Sequence, residues 1–208
     1  MTEYRIPTTV GCVTQIEKRS RFIGHVWPIT TLEEAEAHLK TLRAEHRDAA
    51  HNVYAYLLRD GNQMRCSDDG EPQGTAGGPV LNVFAKEAVT NVLCTVTRYF
   101  GGTLLGSGGL VRAYGQTAKL ALDAAGISIV RQWQRLQLNC NYARYERLAK
   151  TIAAQGAVTE RTDFGADVTL TLLIPVQESV AFCAHMTEVS AGTVRLKQLD
   201  IQEIAVPL

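Results

Sequence analysis

No C-x-x-C pair occurs in the chain, and its five cysteines, Cys12, Cys66, Cys94, Cys140 and Cys183, are widely spaced and odd in number. That argues against a disulfide framework or a zinc ribbon and fits a reducing compartment. An excess charge of either sign is also missing, because 21 basic and 21 acidic side chains cancel. The balance holds in both parts: 14 against 13 over residues 1–134, and 7 against 8 over 135–208. There is no global basic field, so any nucleic-acid contact must come from a local patch. No apolar run approaches the ~20 residues of a membrane span. The start, MTEYRIP, lacks a basic region followed by an apolar one, so no secretory signal is expected. These absences predict a soluble, cytoplasmic protein with no membrane partner.

Glycine, by contrast, is concentrated. Ten of the 17 glycines lie between Gly70 and Gly115. They form two loops, SDDGEPQGTAGGP and RYFGGTLLGSGGLVRAYG, each beside an expected helix start. Glycine is needed where φ is positive or where another group approaches the main chain. Such loops can line a concave site or simply pack as tight turns, and spacing alone leaves both open.

Taken in order, residues 11–29 read as a strand pair whose turn is basic, with Lys18, Arg19 and Arg21 close together. That turn is either a solvated tip or a phosphate-contacting finger. Thr31 and Glu34 form a capping-box pattern opening a helix over 32–46. His46 and His51 do not share a helical face, and no metal site is expected from them. Residues 52–59 and 63–66 flank Asp60-Gly61-Asn62, a hairpin signal. Asp68, Asp69 and Glu71 follow. Their order is not that of a calcium loop, and a turn or helix cap accounts for them. A helix is expected over 75–88. NVLCTVT at 91–97 reads as a strand buried on both faces, hence central. A further helix is expected over 110–125, ended by Gly126.

Strand, glycine loop and helix together build phosphate sites. The nucleotide signatures fail, since Ser107 stands where a Walker loop needs lysine and Val111 breaks G-x-G-x-x-G. The expectation is a generic anion or nucleic-acid site. It comprises Lys18, Arg19, Arg21, Arg98, Gly101, Gly102, Gly106, Gly108, Gly109 and Arg112. Arg98 should emerge beside the loop. Its partner, and that of Arg112, is either an external phosphate or the acidic loop of Asp68, Asp69 and Glu71. No nucleophile–base pair is visible, so no catalytic residue, cofactor or metal is expected. Residues 128–208 read as strand 129–141, helix 142–155, strands 157–163 and 167–174, helix 176–190 and strand 193–206. That is βαββαβ, the ferredoxin-like order. The division is therefore 1–130 and 131–208, with a proteolysis-sensitive junction near 127–135.

SDDGEPQGTAGGP at 67–79 and RYFGGTLLGSGGLVRAY at 98–114 resemble the two signature blocks of the IMPACT family. AAHNVYAY at 49–56 resembles the segment before them. The two-domain layout is similar to the family's bacterial, YigZ-type members. The resemblance implies an α+β protein: an N-terminal domain like the second domain of ribosomal protein S5, then a ferredoxin-like domain. It also implies a translation-related, non-enzymatic role, through ribosome, RNA or a ribosome-associated protein. The eukaryotic members carry an additional RWD domain that this sequence does not show. The alternative from the residues alone is a phosphate- or nucleotide-binding enzyme using the glycine loop.

Overall fold

The structure, a computed structural model, describes residues 3–208. It divides into two compact units, Tyr4–Ile129 with Ala205–Leu208, and Val130–Ile204 with Glu3. The class is α+β with two domains, as the sequence implies.

In the first unit, β1 (Tyr4–Pro7) leads to a five-stranded sheet. Its strands are β2 (Gly11–Glu17), β3 (Ser20–Pro28), β4 (His51–Leu58), β5 (Gln63–Ser67) and β6 (Val92–Tyr99). Their spatial order is β2-β3-β6-β4-β5, and every neighbour is antiparallel. Val92, Cys94 and Val96 of β6 face one core, Leu93 the other, and the strand is central as its composition demands.

Helix α1 (Leu32–Glu45) lays Ala35 and Leu39 against Tyr54, Tyr56, Leu58 and Leu93 on one face of the sheet. Its capping box is complete, with the Glu34 amide donating to Thr31 Oγ1 and the Thr31 amide to Glu34 Oε2. On the other face lie α2 (Gly77–Glu87) and α3 (Ser107–Ala125), which pack Val80, Phe84, Ala113, Tyr114 and Ala121 against Phe22, Val26, Val53 and Val96.

Two helix starts differ from expectation. Thr75 is held in a turn by its bonds to the Pro72 carbonyl, so α2 begins at Gly77. Helix α3 begins at Ser107, because Gly106 makes the break at φ 74° and its carbonyl already accepts from the Leu110 amide. Gly108 and Gly109 are therefore first-turn helix, not loop.

The second unit holds β7 (Ile127–Cys140) from Val130 on, α4 (Tyr142–Ala154), β8 (Val158–Phe164), β9 (Val168–Pro175), α5 (Ser179–Val189) and β10 (Leu196–Pro207) as far as Ile204. β10 pairs β7, β7 pairs β9 and β9 pairs β8, which is ferredoxin-like order. Leu136, Leu138, Leu170 and Leu172 meet Leu148, Ile152, Phe182 and Met186 in its core. The last strand starts three residues late, since Ala191 and Gly192 take left-handed φ and close the end of α5. The stretch 127–135 is part of one continuous strand, not a linker. Among the described residues no helix is long and apolar enough to cross a membrane.

Candidate functional site

The two glycine blocks meet at a buried ion pair. Arg98 is the penultimate residue of the central strand β6, and its side chain turns inward rather than out beside the loop. Its Nη1 donates to Glu71 Oε1 at 2.6 Å, and the two side chains are 6% and 3% exposed. Tyr114 Oη, on α3, donates to the same oxygen at 2.7 Å. Burial, then this bond, pushes the Tyr114 phenol well above its ordinary range. Arg98 Nη2 donates to Ser20 Oγ, which also accepts from the Gly101 amide. The guanidinium carbon lies 5.4 Å from the Phe22 ring centre and 5.5 Å from that of Phe100. Arg98 Nε is buried with no hydrogen-bond partner among the described residues. His51 reaches the cluster edge, its Nε2 3.8 Å from Glu71 and its Nδ1 2.8 Å from the Asp69 carbonyl oxygen.

The rest of the acidic loop works on backbone. Asp68 accepts from the amides of Gly74, Ala76 and Gly77 at 2.8 to 3.1 Å. It thereby caps α2, whose own N-cap residue, Ala76, cannot. Burial raises the Asp68 carboxyl, but the three amides outweigh it and hold it below the usual carboxylate range. Asp69 accepts from the Asn52 amide at 2.6 Å. Of the two partners left open for Arg98, the internal carboxylate is the one present, supplied by Glu71.

The basic tip and the glycine loop form one surface. Lys18 and Arg19 occupy the β2–β3 turn at φ 44° and 67°. Such a turn ordinarily takes Asn-Gly. Gly101 lies against it, and a Cβ there would sit 2.0 Å from the Arg19 carbonyl carbon. Lys18, Gly109 and Arg112 line one cavity of about 200 Å³, with Glu17 also on its wall. Arg112 is exposed and has no ion pair among the described residues. Arg21 stacks its guanidinium 4.4 Å from the Tyr99 ring centre. Phe100 and Leu104, in the same loop, are 51% and 83% exposed. Gly102 and Gly106 hold positive φ, and Gly102, Gly106 and Gly108 leave open space where a side chain would stand.

The structure thus brings Lys18, Arg19, Gly101, Gly109 and Arg112 together and sets Arg98 apart, in the interior. Sequence reasoning missed Ser20 and Tyr114 as members of the buried cluster. Tyr114 falls on the apolar stripe of α3, and nothing local distinguishes a bonded hydroxyl from a packed ring. Asn52 was missed too; its backbone amide donates to Asp69 and its side-chain Oδ1 accepts from the Thr97 hydroxyl.

In comparison with known proteins, both glycine blocks fall within one matched domain. Residues 18–122 match the Impact N-terminal domain, a span that contains the whole Arg98–Glu71–Tyr114 cluster. The chain belongs to the IMPACT family. Residues 138–193 match a domain of unknown function, DUF1949. An IMPACT family member of Haemophilus influenzae is 33% identical over 98% of this chain and 100% of its own length. IMPACT family member YigZ of Escherichia coli is 32% identical over 96% and 100%. Protein IMPACT of Mus musculus is 34% identical over 49% of this chain and 33% of its own. A crystal structure titled as a hypothetical protein superposes with a TM-score of 0.60 at 32% identity, covering 96% of this chain and 98% of that one.

Proposed function

We propose that this IMPACT family chain is a non-enzymatic regulator of translation whose N-terminal unit binds RNA on the ribosome through the β2–β3 tip and the glycine loop. Family membership supports the translation-related role. One observation carries the contact surface: two adjacent cations, Lys18 and Arg19, stand in left-handed backbone against the glycine loop. Left-handed backbone costs a side-chain-bearing residue about 1–2 kcal/mol, and such strain clusters at functional sites. Arg112 extends the patch into the shared cavity, and half-exposed Phe100 offers a ring face to a base.

Co-sedimentation with ribosomes at low salt tests the reading. Replacing Lys18, Arg19 and Arg21 with alanine should weaken binding across RNA sequences and reduce the salt dependence by up to about three charges' worth. Unchanged affinity and slope remove the tip from the interface. The cavity beside Arg112 favours a second reading, a small phosphate ester bound by an enzyme. A nucleotide that raises the melting temperature, with the rise lost in Arg112→Ala and no ribosome binding, selects it instead.

A further inference from the structure

We propose that the groove between α1 and β5 binds an acidic polypeptide in extended form, added as a strand at the open edge of β5. The groove shares no lining residue with the cavity beside Arg112, and the inference is independent of the function proposed above.

At about 650 Å³, the groove exceeds the cavity beside Arg112. It exists because α1 covers β4 and β6 but stops short of β5, whose residues Gln63–Cys66 are all exposed. Strand β5 ends the sheet, so one row of its main-chain groups is unpaired. Tyr56 stands opposite Arg65 and Tyr54 opposite Ser67, which puts these four on the α1 face, beneath the groove. Lys40 and Arg43, three positions apart on α1, form the facing wall.

Charge selects the occupant. Lys40, Arg43 and Arg65 line the groove against one carboxylate, Glu36, and none of the three cations has an ion pair among the described residues. The Tyr54 and Tyr56 hydroxyls have no hydrogen-bond partner among those residues and are not shut away from water. Three cations and two phenol donors suit carboxylates. In an added strand, alternate side chains fall on one face about 7 Å apart. Glutamates at such positions run beside Arg65 and reach Lys40 and Arg43.

A phosphate backbone would match the charge but not the rest. The tyrosine rings are only 8% and 7% exposed, with Arg43 set 5.9 Å from the Tyr54 ring centre, so they offer no platform to bases. An open strand edge offers main-chain pairing to a peptide and none to a nucleic acid.

Fluorescence anisotropy on the full chain tests this. The probe is a labelled peptide of about ten residues alternating glutamate and valine, long enough to span a strand. Saturable binding is expected. Lys40→Glu, Arg43→Glu and Arg65→Glu together should weaken it by at least about tenfold. Should that triple variant fail to keep its circular dichroism and melting temperature, Arg65→Gln alone, on the exposed strand, should still weaken binding several-fold. N-methylation of alternate peptide amides, in the register that faces β5, should abolish it. No binding, equal binding of a lysine–valine peptide, or undiminished binding by folded variants overturns the proposal, and Arg65 then only guards an edge. Displacement of the peptide by oligouridylate, with oligouridylate itself lost in the same variants, overturns it in favour of nucleic acid.

Discussion

At the residue scale, the Arg98–Glu71 pair carries the largest single consequence. Removing one partner leaves a buried charge uncompensated, which typically costs about 3–5 kcal/mol. Arg98→Ala and Glu71→Ala should each be strongly destabilising in urea. The double substitution should cost clearly less than the sum, because each single change strands the other. Additive losses would show that the two charges are not coupled. His25 gives a pH signature. Burial first, and then the nearby His46, hold its pKa below the ordinary ~6.5, against a smaller opposing pull from Glu45. The unfolded chain therefore takes up the proton first as the pH falls. Its contribution is complete above about pH 6.5 and is lost as pH drops through the lower folded value. Urea midpoints between roughly pH 7.5 and 5 should fall more for the wild-type chain than for His25→Gln. Equal slopes would mean the ring titrates normally.

At the element scale, α2 depends on a cap from eight residues before its own N-cap. Asp68→Ala should cost about 0.5–2 kcal/mol. Because the carboxyl is held below its ordinary range, this stabilisation is present above about pH 4 and is lost as pH falls through the lower folded value. Asp68→Asn should recover part of it and remove its acid sensitivity, read from urea midpoints at pH 3.5 and 7. Elements that depend on local chemistry were legible beforehand. The capping box of α1 needs only Thr31 and Glu34, and the two-faced burial of β6 is written in NVLCTVT. A turn or cap role was legible for the acidic loop, but not which carboxylate supplies the cap, because Asp68 reaches α2 across a turn. The Arg98 pairing stayed open for a like reason. Its partner is 27 residues away, and composition cannot distinguish a carboxylate inside the protein from a phosphate outside it. The α1–β5 groove was invisible, since it is space left by where α1 stops.

At the scale of the whole molecule, the boundary near Ile129 falls within a 14-residue strand. The strand over 129–141 was legible in the sequence, but the cleavable junction expected near 127–135 lies inside the observed strand, because a boundary between units need not fall in an exposed linker. Arg135 pairs opposite Leu173 and bonds Glu160, and Arg131 bonds Glu3. Native-state trypsin should spare both arginines, and early cuts at either would count against a continuous strand. We expect residues 1–130 to fold alone, with dispersed amide resonances and a cooperative urea transition. The midpoint should lie below that of the full chain, since Leu208 donates back to Ile127 and Ala205–Leu208 belong to the first unit. A collapsed spectrum would show that the unit needs those residues.

One feature of the interior also bears on how the family's sequences can change over time. Glu71 and Arg98 come from different signature blocks, yet each is tolerable in the interior only while the other is present. Loss of the carboxylate alone would leave the guanidinium buried and uncompensated, and the reverse holds equally. At this pair, a change in one glycine block is tolerated best when the other block changes with it, since both meet at a single carboxylate oxygen.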